Sequence, residues 1–398
     1  MRTIGVVTVS RSDYGAFVPV LERIREDPEL HLHLIASGMH LAPEFGLTVG
    51  LIESDGFEVG DRVEMLLSSD TPEGISKSIG LGVIGFAQAF SHLRPDILLV
   101  LGDRFETCAA ALAALPFNIP IAQIHAGEET RGAMDNVLRH CITRLSHTHF
   151  VSNELYAQRV IELGEEAWRV VVSGAPSLDH LDSIELLSAS RLEREYGIQL
   201  DRPPLLVTYH PVTLEYEQTE WQVNELLCAL EASGLPVVFT LPNADTRSRS
   251  VIRMVKQFAQ DHDFIQIVDN FGSKGYFSMM ALALAMVGNS SSGIVEAPSF
   301  KLPVVNIGTR QEGRMKAINV IDVGYRRDQI LEGIRKAVDP EFRKRLTNLE
   351  NPYRSGQAAR KIVSHLKAMT LDERLIKKHF ADLTLRREPV ASKDGCNS

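Results

Sequence analysis

Residues 3–26 read TIGVVTVSRSDYGAFVPVLERIRE, and this stretch decides the fold. The β-branched run Ile4–Val9 predicts a strand that is buried on both faces, because it is apolar nearly throughout. A polar loop at residues 10–15 follows, and the apolar spacing of residues 17–26 predicts a helix. A strand, a loop and a helix in this order are the repeating unit of a doubly wound parallel sheet.

The same alternation continues along the chain. In the first half the predicted strands are Ile4–Val9, His31–Ala36, Ile97–Leu101, Ile119–Ile124, His149–Ser152 and Val170–Ser173. In the second half they are Leu205–Tyr209, Val237–Leu241, Ile265–Val268, Ala285–Gly288 and Val304–Ile307. Helical patterns lie between them, including one at Ile184–Tyr196. We therefore expect an α/β protein with two doubly wound domains facing a cleft, at residues 1–180 and 181–370, and a charged tail at residues 371–398.

The composition is that of a folded protein with an acidic balance of charge. Among 398 residues, 44% are hydrophobic and 23% are charged, and 42 Lys and Arg against 51 Asp and Glu give a formal net charge of −9. This balance argues against binding to nucleic acid or to anionic membranes, which requires basic surface. The apolar stretch at residues 108–124 is interrupted by Pro116 and Pro120, so we expect no membrane span.

Two features favour the cytoplasm. The N-terminus runs directly into the first predicted strand, without the basic and apolar regions of a secretory signal. The four cysteines, Cys108, Cys141, Cys228 and Cys396, include no CxxC pair. We therefore expect free thiols in a reducing compartment and no structural metal site.

Open parallel sheets bind ligands beyond the carboxyl ends of their strands, so the residues that follow each strand carry the functional information. Ser10-Arg11-Ser12-Asp13-Tyr14-Gly15 follows the first strand and opens a helix. A helix N-terminus presents unpaired N–H groups that suit phosphate, and Arg11 adds a cation. The alternative is an ordinary turn in which Asp13 caps the helix. The loop lacks a GxGxxG pattern, which disfavours a nicotinamide dinucleotide.

Two further loops of the first half carry acid–base groups. In Gly102-Asp103-Arg104-Phe105-Glu106, Asp103 is a candidate general base and Arg104 a candidate anion contact. The segment from His125 to Asp135 contains an imidazole and three carboxylates. Different surroundings can separate the pKa values of such groups, as acid–base catalysis requires. A metal site is disfavoured because no HExxH motif is present, and helix caps with surface ion pairs are the structural alternative.

One loop of the second half favours a nucleotide. Asn289-Ser290-Ser291-Ser292-Gly293 follows a strand and opens a helix, and small residues there let backbone N–H groups approach a phosphate closely. Glu296 follows about one helical turn later, where it can accept hydrogen bonds from ribose hydroxyls. A serine-rich helix cap is the structural alternative.

Three other strands of the second half end in candidate binding residues. His210 precedes a proline at one strand end, and Asn243 follows another. Arg310 and Arg314 follow a third strand and would favour a diphosphate. The structural alternatives are a buried histidine, a helix cap and solvated loop charges.

Together these segments resemble the hydrolysing UDP-N-acetylglucosamine 2-epimerases. The resemblance runs in order from about residue 3 to residue 365, and it rests on residues 10–15, 102–106, 125–128, 132–135, 142–147, 288–293 and 306–311. It implies a glycosyltransferase-B-like architecture, in which two Rossmann-like domains enclose a deep cleft. It also implies a UDP-sugar as substrate, no metal or redox cofactor, and a homodimer or homotetramer.

The implied reaction has two steps. UDP is eliminated across C1–C2 of the sugar to give a 2-acetamidoglycal, and water then adds to give the free C2 epimer, which is N-acetylmannosamine for UDP-N-acetylglucosamine. Departure of the diphosphate gives C1 oxocarbenium character and acidifies the hydrogen on C2. A carboxylate base, an acid group and a cationic diphosphate clamp should then suffice. Such a reaction would feed the synthesis of sialic acid-like sugars.

Carried over by position, the resemblance assigns two sets of residues. The catalytic candidates are Asp103, Glu128, Asp135, His125 and His210. The candidates that bind nucleotide or substrate are Arg11, Asp13, Gly15, Arg104, Asn243, Ser290, Ser291, Ser292, Gly293, Glu296 and Arg310. His125 stands where some relatives have a carboxylate, and Asn136 where a second acidic residue is often found. These departures favour an altered sugar, such as a 2,4-diacetamido-trideoxyhexose, or a GDP-linked one.

Three alternative functions stay open. A non-hydrolysing 2-epimerase would return the nucleotide-linked sugar, a glycosyltransferase would need an acceptor, and a nucleotide-sugar sensor would bind without turnover. The segments at residues 10–14 and 125–128 favour the hydrolysing branch, and the carboxylates at residues 103–135 argue against a sensor.

Overall fold

The structure, a computed structural model, describes residues 1–382 and contains two parallel sheets. The first consists of β1 (Arg2–Thr8), β2 (Leu30–Ser37), β3 (Val59–Val63), β4 (Ile97–Leu101), β5 (Ile121–Ile124), β6 (Thr148–Val151) and β7 (Val170–Val172). The second consists of β8 (Leu205–Thr208), β9 (Val237–Thr240), β10 (Ile265–Val268), β11 (Ala285–Gly288), β12 (Val304–Ile307) and β13 (Val320–Val323). Cys396 and the end of the predicted tail lie outside the described residues.

Helices connect the strands. They are α1 (Arg11–Glu26), α2 (Val49–Ser54), α3 (Pro72–His92), α4 (Phe105–Ala114), α5 (Asp135–Leu145), α6 (Glu154–Glu162), α7 (Ser177–Ser183), α8 (Ala189–Tyr196), α9 (Thr219–Ser233), α10 (Ser248–Gln260), α11 (Gly272–Leu282), α12 (Ser292–Val295), α13 (Arg327–Val338), α14 (Pro340–Arg345), α15 (Ala358–Ala368) and α16 (Glu373–Ile376). Across residues 1–382, no helix is both long enough and apolar enough to cross a bilayer.

The two sheets have the same topology. Their strand orders are β3-β2-β1-β4-β5-β6-β7 and β10-β9-β8-β11-β12-β13, and neighbouring strands pair in parallel. In each sheet the order reverses beside the first strand, between β1 and β4 and between β8 and β11. Doubly wound sheets bind ligands at this reversal, outside the carboxyl ends of the strands. The two reversals therefore mark the candidate site.

The last helices return to the first sheet. Ile362 and Leu366 of α15 are buried in the same core as Phe17 and Leu21 of α1. The guanidinium group of Arg2, at the start of β1, donates to the carbonyl oxygens at the end of α15. The domain limits at residues 180 and 370 stay predictions, and α15, which precedes residue 370, packs with the first sheet.

The central strands match the sequence predictions, but two edge strands were not predicted. β3 and β13 each form one edge of a sheet and have exposed or partly exposed positions along their length. The predicted helix at Ile184–Tyr196 was also wrong at its start, because α7 ends at Ser183 and α8 begins at Ala189. The other two edge strands, β7 and β10, were predicted because their sequences are mostly apolar, as those of the central strands are.

Candidate active site

Two connected cavities form one cleft between the sheets, with volumes of about 200 and 140 Å³. The smaller cavity, here called the carboxylate lobe, is lined by Asp103, His125, Glu128, Asp135, Arg139 and Arg314. The larger, here called the serine lobe, is lined by Thr208, His210, Phe271, Tyr276 and Ser290. Both lobes share the walls formed by Asn243, Ser291, Ser292, Glu296 and Arg310. The cleft therefore joins groups from both halves of the chain.

Asp103 follows β4 at the reversal of the first sheet and faces the carboxylate lobe. Arg139 of α5, which is 1% exposed, donates to the carboxylate of Asp103. The same guanidinium group donates to the carbonyl oxygen of His125 at 3.0 Å and to Thr130 Oγ1 at 3.2 Å. Because Arg139 is held at several points, it fixes the position of the Asp103 carboxylate.

Asp135 is the first residue of α5 and is buried beside the other carboxylates. Burial, together with the charges of Asp103 and Asp245, raises its pKa to about 7. Arg310 of the second domain partly opposes this shift, and its Nη2 lies 3.8 Å from Asp135 Oδ2. The side chain is therefore poised to give up or accept a proton near neutral pH.

Glu128 and His125 form a hydrogen-bonded pair at the end of β5. Nδ1 of His125 donates to Glu128 Oε1 at 2.7 Å, and Arg314 Nη2 lies 3.1 Å from Glu128 Oε2. Burial disfavours the charged carboxylate, but Arg314, His125 and Arg139 outweigh it and hold the pKa of Glu128 well below its usual range. Glu128 therefore fixes the orientation of the imidazole through Nδ1, and the His125 side chain lines the carboxylate lobe.

Arg104 links the two domains. Its guanidinium group donates to Glu106 and, across the cleft, to Asp245 Oδ1 at 3.1 Å. Asp245 also lies 3.8 Å from Nδ1 of His210. Burial and the charge of Arg310 lower the pKa of His210, although Asp245 acts in the opposite direction. Arg104 lines the carboxylate lobe but already has two protein carboxylates as partners.

The serine lobe is built on the loop after β11. The side-chain amide of Asn289 makes two hydrogen bonds with the backbone of His210. Asn289 Nδ2 donates to the carbonyl oxygen of His210 at 2.8 Å, and Asn289 Oδ1 accepts from the N–H of His210 at 2.7 Å. Arg310 Nη1 donates to the carbonyl oxygen of Asn289 at 3.1 Å. Glu296 accepts from Ser177 Oγ at 2.7 Å, and burial raises the pKa of Glu296 to about 7. The lobe thus combines hydroxyl groups with two arginines, Arg11 and Arg310, and with the titratable carboxyl of Glu296.

Three residues of the first two turns of α1, Arg11, Asp13 and Gly15, lie on the cleft wall, so the predicted loop at residues 10–15 was wrong and the helix already begins at Arg11. The carboxylate of Asp13 accepts from the backbone N–H groups of Val9 at 2.8 Å and Ser10 at 2.6 Å. Asp13 therefore caps the start of α1, as the structural alternative predicted, and it also lines the carboxylate lobe. Arg11 donates to the carbonyl oxygen of Asp269 across the domain interface. A Cβ on Gly15 would lie 2.5 Å from Ser273 Oγ, so a glycine there lets the domains approach.

The cleft brings together all but one of the predicted site residues. They are Arg11, Asp13, Gly15, Asp103, Arg104, His125, Glu128, Asp135, His210, Asn243, Ser290, Ser291, Ser292, Glu296 and Arg310. Gly293 instead packs against the sheet, where an added Cβ would lie 2.9 Å from Val304 Cγ1. Its small size serves the contact between α12 and β12, and the predicted binding role has no support from its position.

Sequence reasoning did not single out four residues that the structure places at the site. Arg139 and Asp245 pair with predicted residues, Ser177 holds Glu296, and Tyr276 lines the serine lobe. Arg139 and Asp245 lie on or beside helices, so only the packed fold shows which carboxylate or cation they meet. In the described part of the chain, no group of three or more His, Cys, Asp or Glu side chains is arranged as a metal site.

Similar proteins share the sequence along almost the whole chain. A hydrolysing GDP/UDP-N,N'-diacetylbacillosamine 2-epimerase of Campylobacter jejuni is 37% identical over 385 residues, which cover 96% of this chain and 99% of that protein. A hydrolysing UDP-N,N'-diacetylbacillosamine 2-epimerase of Legionella pneumophila is 34% identical over 378 residues, which cover 95% of this chain and 99% of that protein.

A solved structure and a family model agree with these relatives. The crystal structure of UDP-GlcNAc 2-epimerase from Neisseria meningitidis, bound to UDP-GlcNAc, matches 92% of this chain and 100% of that chain with a TM-score of 0.78 at 20% identity. This match confirms the predicted glycosyltransferase-B-like fold of two facing Rossmann-like domains. The model of the family described as UDP-N-acetylglucosamine 2-epimerase matches residues 22–367, and the chain therefore belongs to that family.

Proposed function

We propose that this protein is a hydrolysing nucleotide-sugar 2-epimerase. It converts a UDP-linked 2-acetamido sugar and water into the free C2 epimer and UDP. The observation that carries the proposal is the contact between Asp135 and Arg310, which lie 3.8 Å apart although they come from opposite domains. Acid–base groups and an anion-binding cation thus meet in one cleft, as an elimination of diphosphate requires.

The sugar is of the N,N'-diacetylbacillosamine or N-acetylglucosamine type. The names of the two relatives support the first type, and the presence of His125 at the end of β5 agrees with a departure from the standard site. Product from UDP-N-acetylglucosamine would be N-acetylmannosamine. We assign the diphosphate to Arg310 and the serines of the loop after β11, and the sugar ring to the carboxylate lobe.

In the first step, the carboxylate of Asp103 removes the proton from C2 while the bond from C1 to the diphosphate oxygen breaks. The electron pair of the C2–H bond forms the C1–C2 double bond of the glycal. Asp135, with a pKa near 7, gives its proton to the departing oxygen, and Arg310 neutralises the charge that develops there. The step leaves Asp103 protonated and Asp135 ionised.

In the second step, water adds across the double bond. Its oxygen bonds to C1, and its proton returns to the ionised Asp135. Inversion requires that C2 receives a proton on the face opposite to the one it lost, so a second group must act there. We assign this role to protonated His125, which Glu128 holds through Nδ1. Exchange with solvent then deprotonates Asp103 and protonates His125, which completes the cycle.

We also propose where the protein acts and how it assembles. The acidic net charge and the free thiols of Cys108, Cys141 and Cys228 support a cytoplasmic enzyme. The family resemblance supports a homodimer or homotetramer, with no nucleic acid or membrane partner. The reaction would supply a free amino sugar for the synthesis of sialic acid-like sugars.

The test is to incubate the purified protein in D2O with UDP-N-acetylglucosamine and, separately, with UDP- and GDP-linked N,N'-diacetylbacillosamine. We expect release of the nucleoside diphosphate and a free C2 epimer that carries deuterium at C2, measured by NMR. An epimerised sugar that stays on the nucleotide would instead support the non-hydrolysing alternative. Binding without turnover would support a sensor, and turnover only with an added acceptor would support a glycosyltransferase.

A further inference from the structure

Residues 130–134, which lead directly into Asp135, are held by a loop of the opposite domain. The backbone N–H of Met134 donates to Thr213 Oγ1 at 2.8 Å. The backbone N–H of Leu214 donates to the carbonyl oxygen of Gly132 at 3.3 Å. Thr213 and Leu214 begin a short 3-10 helix, Thr213–Gln218, in the connection from β8 to α9, here called the loop after β8. The segment before the candidate acid therefore depends on contacts from the second domain.

A second loop of that domain packs against the same segment. An added Cβ on Gly132 would lie 2.7 Å from Thr309 Oγ1 and 2.8 Å from the backbone nitrogen of Arg310. The hydroxyl of Thr309 also donates to Glu215 Oε1 at 2.7 Å, which ties the loop after β12 to the loop after β8. Gly132 therefore lies against two connected loops at a distance that only a residue without a side chain allows.

The contact with Met134 completes the start of α5. The first N–H groups of a helix have no partner within the helix, and a side-chain oxygen usually caps one of them. Met134 is the N-cap residue of α5 and has no oxygen in its side chain to provide such a cap. Thr213 supplies an acceptor from the other domain, one residue before Asp135.

Both loops also reach the cleft. His210 lines the serine lobe three residues before Thr213, and the intervening Val212 is fully buried. Arg310 follows Thr309 and lines both lobes. Arg310, which we assign to the diphosphate, therefore belongs to the loop that packs against Gly132, and His210, which lines the serine lobe, belongs to the loop that holds the start of α5.

We infer that Thr213 is a positioning residue that sets Asp135 in place from the opposite domain. The inference rests on the proposed function, because it concerns the acid of that reaction. Thr213 does not line either lobe of the cleft, so it acts on the reaction through the start of α5. Gly132, in the same segment, packs against the loop after β12. The position of the Asp135 carboxyl group therefore also depends on how closely the two domains approach each other.

The test compares Thr213→Val with Thr213→Ser. Valine has nearly the shape of threonine but cannot accept the hydrogen bond from Met134, whereas serine keeps the acceptor. We expect Thr213→Val to lower kcat by about tenfold or more, since misplacement of a catalytic group by about 1 Å can cost about a hundredfold. The Kd for UDP should stay within about twofold, and Thr213→Ser should recover most of kcat.

A matched control removes a hydroxyl that lies in the same region but does not touch residues 130–134. The hydroxyl of Thr219 donates to the carbonyl oxygen of Tyr216 within the second domain. Thr219→Val should therefore lower stability to a similar degree as Thr213→Val and leave kcat close to that of the unaltered protein.

Gly132→Ala tests the same contact without touching Thr213. A methyl group at this position meets Thr309 and the backbone of Arg310, so it must push the loop after β12 away from residues 130–134. We expect a loss of kcat of the same order as for Thr213→Val, here together with weaker UDP binding, because Arg310 moves with that loop.

The outcomes separate the two proposals. If the unaltered protein releases no UDP from any of the nucleotide sugars, the proposed function fails. If it turns over but Thr213→Val has an unchanged kcat, or if Thr213→Ser fails to restore it, the inference about Thr213 is wrong. A parallel loss of kcat and UDP affinity in Thr213→Val would also contradict it, because that result indicates general unfolding of the cleft.

Discussion

The two lobes of the cleft use opposite kinds of chemistry. The serine lobe presents hydroxyl groups, such as those of Ser290 and Tyr276, and its walls come mainly from the second domain. The carboxylate lobe concentrates buried charges, and most of them are already paired, as Asp103 is with Arg139 and Glu128 with Arg314. Neutral donors can adapt to a ligand, whereas the ion pairs of the carboxylate lobe fix the positions of its acid–base groups, and Asp135, with a pKa raised to about 7, can exchange a proton there. The contrast assigns binding to the serine lobe and proton transfer to the carboxylate lobe.

Within residues 1–382, two charged groups connect these tasks. Arg310 lines both lobes and lies 3.8 Å from Asp135, and Glu296 lines both lobes with a pKa raised to about 7 by burial. A substitution in one lobe should therefore change one kinetic constant, and a substitution at the junction should change both. The following experiments test this division.

The largest effect is expected for Asp103→Asn, which removes a proton acceptor and keeps the shape of the side chain. Turnover should fall on the order of a hundredfold or more, as for the loss of a general acid or base. The Kd for UDP, measured by calorimetry, should stay within about threefold. Asp96→Asn is the control, because Asp96 precedes the opposite end of β4 and is exposed. Normal turnover of Asp103→Asn would exclude Asp103 from the mechanism.

Arg310→Ala should weaken UDP binding by about 10-fold to 100-fold, which corresponds to the loss of hydrogen bonds to a charged group. Turnover should fall as well, because the same guanidinium group lies beside Asp135. Arg253→Ala is the matched control, since Arg253 pairs with Glu220 on the surface. A UDP affinity that is unchanged in Arg310→Ala would remove this residue from the diphosphate site.

The pH dependence of turnover tests the role of Asp135. Burial and the neighbouring carboxylates raise its pKa to about 7, so its protonated form dominates below that pH and is lost above it. If Asp135 is the acid, kcat/KM, which reports the ionisation of the free enzyme, should fall by about tenfold for each pH unit above 7. Glu296 titrates in the same range, and Glu296→Gln should therefore retain this decrease. A kcat/KM that rises above pH 7 would mean that Asp135 acts as a base.

The smallest effect on binding is expected for Gly293→Ala. The added methyl group would lie 2.9 Å from Val304 Cγ1, so it should overpack the contact between α12 and β12. We expect a loss of about 1–3 kcal/mol in the free energy of unfolding, measured with denaturant. The Kd for UDP should change by no more than about twofold. A large loss of UDP affinity at unchanged stability would restore the binding role predicted from the sequence.

The sequence predicted the strands that are mostly apolar, including the edge strands β7 and β10, and failed for the two edge strands that carry charged residues. β4 and β11 are apolar throughout because both faces of a central strand are covered. β3, which reads VGDRV, contains two charged residues because it lies at an edge, and its pattern is that of a loop. Edge strands commonly carry charge, which limits pairing with other molecules and also hides them from sequence patterns.

The candidate site was predictable to the extent that its residues follow strands. Asp103 follows β4, and His210 follows β8. Because parallel sheets bind ligands beyond the carboxyl ends of their strands, the pattern alone predicts that both residues face the cleft. Arg139 lies in the second turn of α5, and only the crossing of α5 over the strand ends brings it to Asp103. The family resemblance was confirmed by the family model, whereas the individual roles of these residues stay predictions.

The return of α15 to the first sheet has a consequence for synthesis. Ile362 and Leu366 complete the core that contains Phe17 and Leu21, although more than three hundred residues separate them in the chain. The ribosome delivers all strands of the second sheet before it delivers α15, so the C-terminal half can fold while the N-terminal half still lacks a part of its interior. The nascent chain therefore keeps apolar side chains of α1 uncovered until α15 has left the ribosome, and this is the stage at which we expect it to engage chaperones.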